Sequence, residues 1–180
     1  MRHLLITLFL STLSAPFFAQ SITKHTEALD GLLEQTESYF VMRDQLEPSV
    51  SGASIGWHSY HLLLVTTNIY EALASSDPNA YLYRPNFLRG IVFTTGNIPR
   101  GKGKAPESAL PPEQISLEAL EAQLAQVRAI LDKLEQLPPK SSFEHPVFGT
   151  LKRDQAIKFI VIHTRHHLKI IRDIDATAVL

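Results

Sequence analysis

The sequence predicts an all-α protein, a four-helix bundle with one long crossover between its second and third helices. Three observations predict it. The first is a bundle seam: Leu117, Leu120, Leu124, Val127, Leu131 and Leu134 recur at alternating steps of three and four, which sets them on one helical stripe. The second is a broad apolar stripe made by Ile157, Ile160, Val161, Leu168, Ile170, Ile171 and Ile174. The third is punctuation. Pro48, Asp77-Pro78, Pro111-Pro112 and Pro138-Pro139 fall between the periodic segments, where a helix must stop or start.

The first helix is expected over 22–46, with Leu29, Leu32, Leu33, Thr36 and Phe40 on one face. Pro48, Ser49, Ser51 and Gly52 follow it as a loop. The second runs over 53–74 and is stopped by Ser75, Ser76, Asp77 and Pro78. The third follows Pro111-Pro112 and carries the seam. The fourth runs over 152–174. About 35 residues separate helices two and three, too many for a plain loop in a compact bundle. Within them, Pro85 to Phe93 is expected to hold a short helix, and Ile91 to Thr95 is β-branched enough for a strand.

The 180 residues fit one domain. An apolar content of 44% and a charged content of 19% are those of a globular chain. Lys plus Arg is 17 and Asp plus Glu 18, a formal net charge of −1, which removes the electrostatic case for binding nucleic acid or an anionic membrane. Cysteine is absent, which excludes disulfides, Cys-ligated zinc, iron–sulfur clusters and thiolate nucleophiles.

The N-terminus reads as an export signal over residues 1–21, followed by the helical domain over 22–180. Met1, Arg2 and His3 are a short basic start, Leu4 to Leu10 is nearly unbroken apolar sequence, and small and apolar residues continue to Phe18. The run is shorter than the about 20 apolar residues of a membrane span, so no stable insertion is expected after cleavage. Cutting after Ser21 leaves the small-x-small pattern Ala19-Gln20-Ser21; cutting after Ala19 puts bulky Phe17 at the third upstream position. Pro16 argues against a buried first helix here. A periplasmic or secreted location follows.

The conspicuous chemistry is in eight histidines. His163 and His167 are four apart on the fourth helix, hence stacked on one face, inside the apolar arc edged by Ile170 and Val161. Buried imidazoles cost free energy unless their nitrogens find partners, and a shared metal is one such partner. The second helix adds His58 and His61, three apart, on a face with Val65, Asn68 and Ala72. Facing helices can thus focus three or four histidines on one point. The rival reading is that these are core histidines with hydrogen-bond partners. A zincin helix is excluded, because Thr164 stands where Glu must follow the first His.

Other motifs carry less. Gly96 to Lys102 matches the start of a phosphate-binding P-loop, but Gly103 replaces the required Ser or Thr and prolines interrupt the following helix. It reads as an exposed cationic loop at one mouth of the bundle, with Arg100, Lys102 and Lys104 available to an anionic group. Phe143 to Leu151 contains Pro146 and Gly149 and reads as a turn packed by Phe143, Val147 and Phe148, with His145 as a turn histidine.

Taken together, His61-Leu62, the segment Phe143 to Leu151, and His163-Thr164-Arg165-His166-His167-Leu168 resemble the DinB/YfiT-like superfamily, in a branch of uncharacterised domain families. The resemblance spans Thr26 to Ile174. It implies a four-helix bundle holding a divalent metal by one histidine of helix two and two of helix four. By position these are His61, His163 and His167. His61 is preferred to His58 because the family's ligand begins the aliphatic run, here Leu62-Leu63-Leu64. Characterised relatives include thiol-dependent S-transferases and isomerases. An export signal departs from those cytosolic enzymes and argues against a cytosolic thiol as cosubstrate.

The expected function is therefore that of a divalent-metal-dependent hydrolase or thiol transferase with a three-His site. The alternative is a non-catalytic exported helical module whose buried histidines are structural. Three imidazoles point to zinc or nickel foremost, then manganese or iron. The expected partners are a small-molecule substrate, with cations near at hand for an anionic one, and a second copy of the chain if it dimerises.

Overall fold

The computed structural model describes residues 15–101 and 103–178, with side chains for 22–101 and 103–177. Four long helices form the bundle: α1 (Ala15–Glu37), α2 (Ile55–Ser75), α4 (Leu117–Gln136) and α5 (Arg153–Ala178). A shorter α3 (Phe87–Thr95) lies in the crossover. Strands β1 (Ser142–His145) and β2 (Gly149–Lys152) pair antiparallel as a hairpin before α5. α5 packs on α1 and α2, and α4 packs on the same two helices, so α1 and α2 stand diagonally across the bundle.

The seam is the core. Leu120, Leu124, Val127 and Leu134 of α4 are buried, as are Leu29 and Leu33 of α1, Leu62, Leu63 and Leu73 of α2, and Ile157, Ile160, Ile171 and Ile174 of α5. Each such side chain contributes about 1.5–3 kcal/mol on leaving water. Side-chain caps set three helix starts: Ser54 accepts from Trp57 N, Asn86 from Arg89 N and Ser116 from Ala119 N.

The first helix differs from expectation at both ends. It stops at Glu37, and a 3-10 turn, Phe40–Met42, follows instead of further helix to residue 46. Phe40 remains buried, because the tighter turn delivers it to the same core. The helix also begins at Ala15, inside the expected export segment. Pro16 lies in its first turn, where a missing N–H is not needed. The rest of that segment, residues 1–14, lies outside the described residues.

The long crossover is held to the hairpin by a buried cation. Arg89 of α3 is 5% exposed and donates to the carbonyls of Phe148 (3.3 Å), Thr150 (3.0 Å) and Arg84 (2.5 Å). Asn86 adds a bond to the Val147 carbonyl at 3.0 Å. Residues 91–95 are helical, which corrects the strand expectation. Val92 is buried on that helix, and Gly96 ends it at φ 64. The first glycine of the P-loop-like run is thus a helix stop.

His145 closes the hairpin turn. Its Nδ1 accepts from Val147 N (3.1 Å) and Phe148 N (3.2 Å), while the ring stacks on Phe148 and meets Phe159 edge-on. An accepting Nδ1 must be unprotonated. Burial pushes the pKa of His145 down to about 4, against a smaller opposite effect of Glu144. The unfolded chain takes up that proton near its ordinary value of about 6.5, so this histidine's stabilising contribution is complete above that pH and is lost as the pH falls toward 4.

Two measurements follow. Gly56 sits where α2 meets the segment before it; a Cβ there would stand 2.9 Å from both Arg43 Cβ and Arg43 O. Gly56→Ala is expected to lower stability by about 1–3 kcal/mol in urea unfolding. Gly31→Ala, in the open on α1, is expected to raise it by about 0.5–1 kcal/mol. For His145, the stability advantage of the wild type over His145→Asn should shrink as the pH is lowered from about 7 to about 4.5. Parallel pH curves for the two proteins would contradict the assignment.

Candidate metal centre

The site forms where α2 faces α5. Helical periodicity places His58 and His61 on the α5-facing side of α2, and His163 and His167 on the α2-facing side of α5. His58, His61 and His167 are 4%, 4% and 8% exposed, and His163 is half-buried. One nitrogen each of His61, His163 and His167 lies within 4.8 Å of the other two. That bound is looser than the about 4 Å expected of three nitrogens on one zinc-sized ion. The His163 Nε2 to His167 Nε2 separation, 3.2 Å, matches the about 3.4 Å edge of a tetrahedral zinc site.

Support for these rings comes from outside the two helices. His61 Nδ1 donates to the Ala109 carbonyl at 2.7 Å, which leaves its Nε2 as a lone pair. Ala109 belongs to a 3-10 turn, Glu107–Ala109, near the end of the crossover. Asn68, one further turn along α2, fixes the same turn by donating to the Ser108 carbonyl at 2.8 Å. Trp57 stacks on the His61 ring at 4.9 Å between centroids. Phe159 lies 5.5 Å from the His163 ring, so both rings have an aromatic neighbour.

His58 reaches the cluster differently. Its Nδ1 is 2.9 Å from His167 Nδ1 and its Nε2 is 2.9 Å from Ser51 Oγ. His58 meets His167 at the nitrogen opposite the one that faces His163, and it is not among the three histidines whose nitrogens lie within 4.8 Å of one another. Of the two histidines of α2, it is His61 that joins the pair on α5, and His58 stands behind His167.

The electrostatics favour bare nitrogens. Burial, followed by neighbouring histidines, holds His163 and His167 well below the ordinary imidazole range. Burial also lowers His61, with the Ala109 carbonyl acting in the opposite direction. His58 is pushed down to about 4 by burial first, then by His61, His166 and Arg100. Neutral imidazole is the form that binds a cation, so the donor set is compatible in chemistry with a divalent ion.

Arg100 of the glycine-rich loop lies on α5, paired with Asp173 at 2.7 Å. With Gly96 to Pro99 it meets Arg165, His166 and Lys169 around a surface pocket of about 290 Å³. His166 lies beside the cluster, its ring 5.1 Å from that of His167. Lys102 lies outside the described residues. Sequence reasoning missed Ser51 and Ala109. Neither has a distinctive residue type, and both act through oxygens that only the chain path brings to a histidine.

No curated protein and no solved structure shows a significant match to the chain. A family model does, over residues 20–171, and those residues contain α2, the crossover, the hairpin and every histidine of the cluster. The chain belongs to the DinB superfamily.

Proposed function

We propose that the protein is a divalent-metal-dependent enzyme of hydrolase or thiol-transferase type, with His61, His163 and His167 as the ligands. The observation that carries this reading is the convergence of three imidazole nitrogens, one of them held in its metal-binding tautomer by the Ala109 carbonyl. Three protein ligands leave a coordination position for water or substrate. The chemistry a divalent cation supplies when bound is charge stabilisation and a water or thiol made nucleophilic near neutral pH.

The chain's own residues do the rest. Ala109 and Trp57 orient His61, and burial keeps His163 and His167 unprotonated. Arg100, Arg165 and Lys169, around the pocket at His166, support a small substrate with an anionic group. The order of residues 1–21 supports export to the periplasm or beyond. That location favours hydrolysis over transfer to a cytosolic thiol.

One observation favours the rival, a non-catalytic module. His163 with His167, and His58 with His167, are close enough to satisfy one another by hydrogen bonds. Activity discriminates the two. Protein loaded with zinc, nickel, manganese or iron(II) is expected to hydrolyse activated esters of small acids, or to transfer a supplied thiol to an electrophile. Turnover should disappear with chelator and fall at least about 100-fold in His163→Ala. Metal-loaded protein inert in both assays would favour the structural module.

A further inference from the structure

The contact between His58 and His167 joins the cluster to a hydrogen-bond chain whose direction decides whether His167 can hold a metal. The chain runs Ala53 N–H to Ser51 Oγ (3.1 Å), Ser51 Oγ to His58 Nε2 (2.9 Å), His58 Nδ1 to His167 Nδ1 (2.9 Å), and His167 Nε2 to His163 Nε2 (3.2 Å). The ring partners are serine and histidine, with no carboxylate, so both imidazoles are neutral and each carries one N–H. Two nitrogens in contact at 2.9 Å hold one proton between them.

That leaves two arrangements with the same number of protons. In one, the Ser51 hydroxyl donates to His58 Nε2, His58 Nδ1–H donates to His167 Nδ1, and the proton of His167 is on Nε2. The nitrogen facing His163 is then blocked. In the other, His58 Nε2–H donates to Ser51 Oγ, and His58 Nδ1 accepts from His167 Nδ1–H. His167 Nε2 is then a bare lone pair aimed at the cluster. The Ala53 N–H already lies on Ser51 Oγ and leaves that oxygen a further lone pair for His58.

Resting on the reading of His61, His163 and His167 as ligands, we infer that His58 is a positioning residue that sets the tautomer of His167. It accepts a hydrogen bond from His167 Nδ1–H and donates one from its own Nε2–H to Ser51 Oγ, an outer contact of the kind that orients metal-binding histidines. The two helices then share the work unequally: α2 supplies one ligand, His61, and one tautomer-setting ring, His58. Spacing alone does not distinguish them. The distinction is that His61 has its Nδ1 on a backbone carbonyl and belongs to the group of three, whereas the nitrogens of His58 face His167 and Ser51.

The test is zinc affinity, read by competition with a chromophoric chelator at about pH 7.5, above the ordinary imidazole range. His58→Leu removes the acceptor and is expected to weaken zinc binding about 10–100-fold. His58→Asn places an amide oxygen near the position of Nδ1 and should recover most of that loss, which restored packing alone would not achieve. Long-range proton–nitrogen correlation spectra of the zinc-loaded wild type should show His58 protonated on Nε2 and His167 on Nδ1; they test the inference even if His58→Leu does not fold. Equal affinity in wild type and His58→Leu, or His58 protonated on Nδ1 with zinc bound, would overturn the inference and leave the metal site standing. Wild-type protein that takes up no zinc would overturn the metal site itself.

Discussion

Four imidazoles are taken out of water where α2 meets α5, and each of their nitrogens must find something there. This is the constraint on which the rest of the arrangement depends. A buried polar group left without a partner costs about 1–3 kcal/mol, comparable to what one core leucine contributes. The chain meets the demand with parts from several places. The Ala109 carbonyl of the crossover accepts a hydrogen bond from His61 Nδ1–H, Ser51 of the loop before α2 meets His58, and His167 lies between His58 and His163. One nitrogen each of His61, His163 and His167 lies within 4.8 Å of the other two.

The fold serves that cluster by fixing the relation of two helices. α1 and α4 pack against both α2 and α5, so the pair is buttressed from two sides. The crossover is the less regular element, and its order comes from polar contacts rather than from a large core. Arg89 ties α3 to the hairpin through backbone carbonyls, and Asn68 ties the Glu107–Ala109 turn to α2. A loop of this length would be costly to order without such points, since every fixed residue gives up about 1–2 kcal/mol of backbone entropy. The ordered crossover then returns a carbonyl to His61.

Much of this was legible in the sequence. The steps of three and four from Leu117 to Leu134 and the spacing of His163 and His167 are consequences of helical geometry alone. They carried the bundle and the meeting of histidines from α2 and α5, while the preference for His61 over His58 came from the family resemblance. The turn role of His145 was also legible, from its proline and glycine neighbours. What could not be read were the features set by tertiary path. The stop of α1 at Glu37 is one, because Phe40 keeps the apolar pattern going through a 3-10 turn. The helical state of residues 91–95 is another: Asn86 caps that helix and Arg89 anchors it, overriding the β preference of Ile91, Val92, Thr94 and Thr95. The different parts played by His58 and His61 are a third, since Ala109 and Ser51 are ordinary residues until the chain path places them.

The central claim is that the three histidines form a divalent-metal site, and metal content tests it most directly. Protein purified without a histidine tag and equilibrated with zinc or nickel should retain about one equivalent through gel filtration, by mass spectrometry of the eluted peak. Chelator should strip that metal and lower the melting temperature at about pH 7.5, because an ion bound only by the folded chain stabilises it. A His163→Ala/His167→Ala double variant should retain none. Intact protein that retains no metal, or a double variant that retains as much as the wild type, would contradict the account.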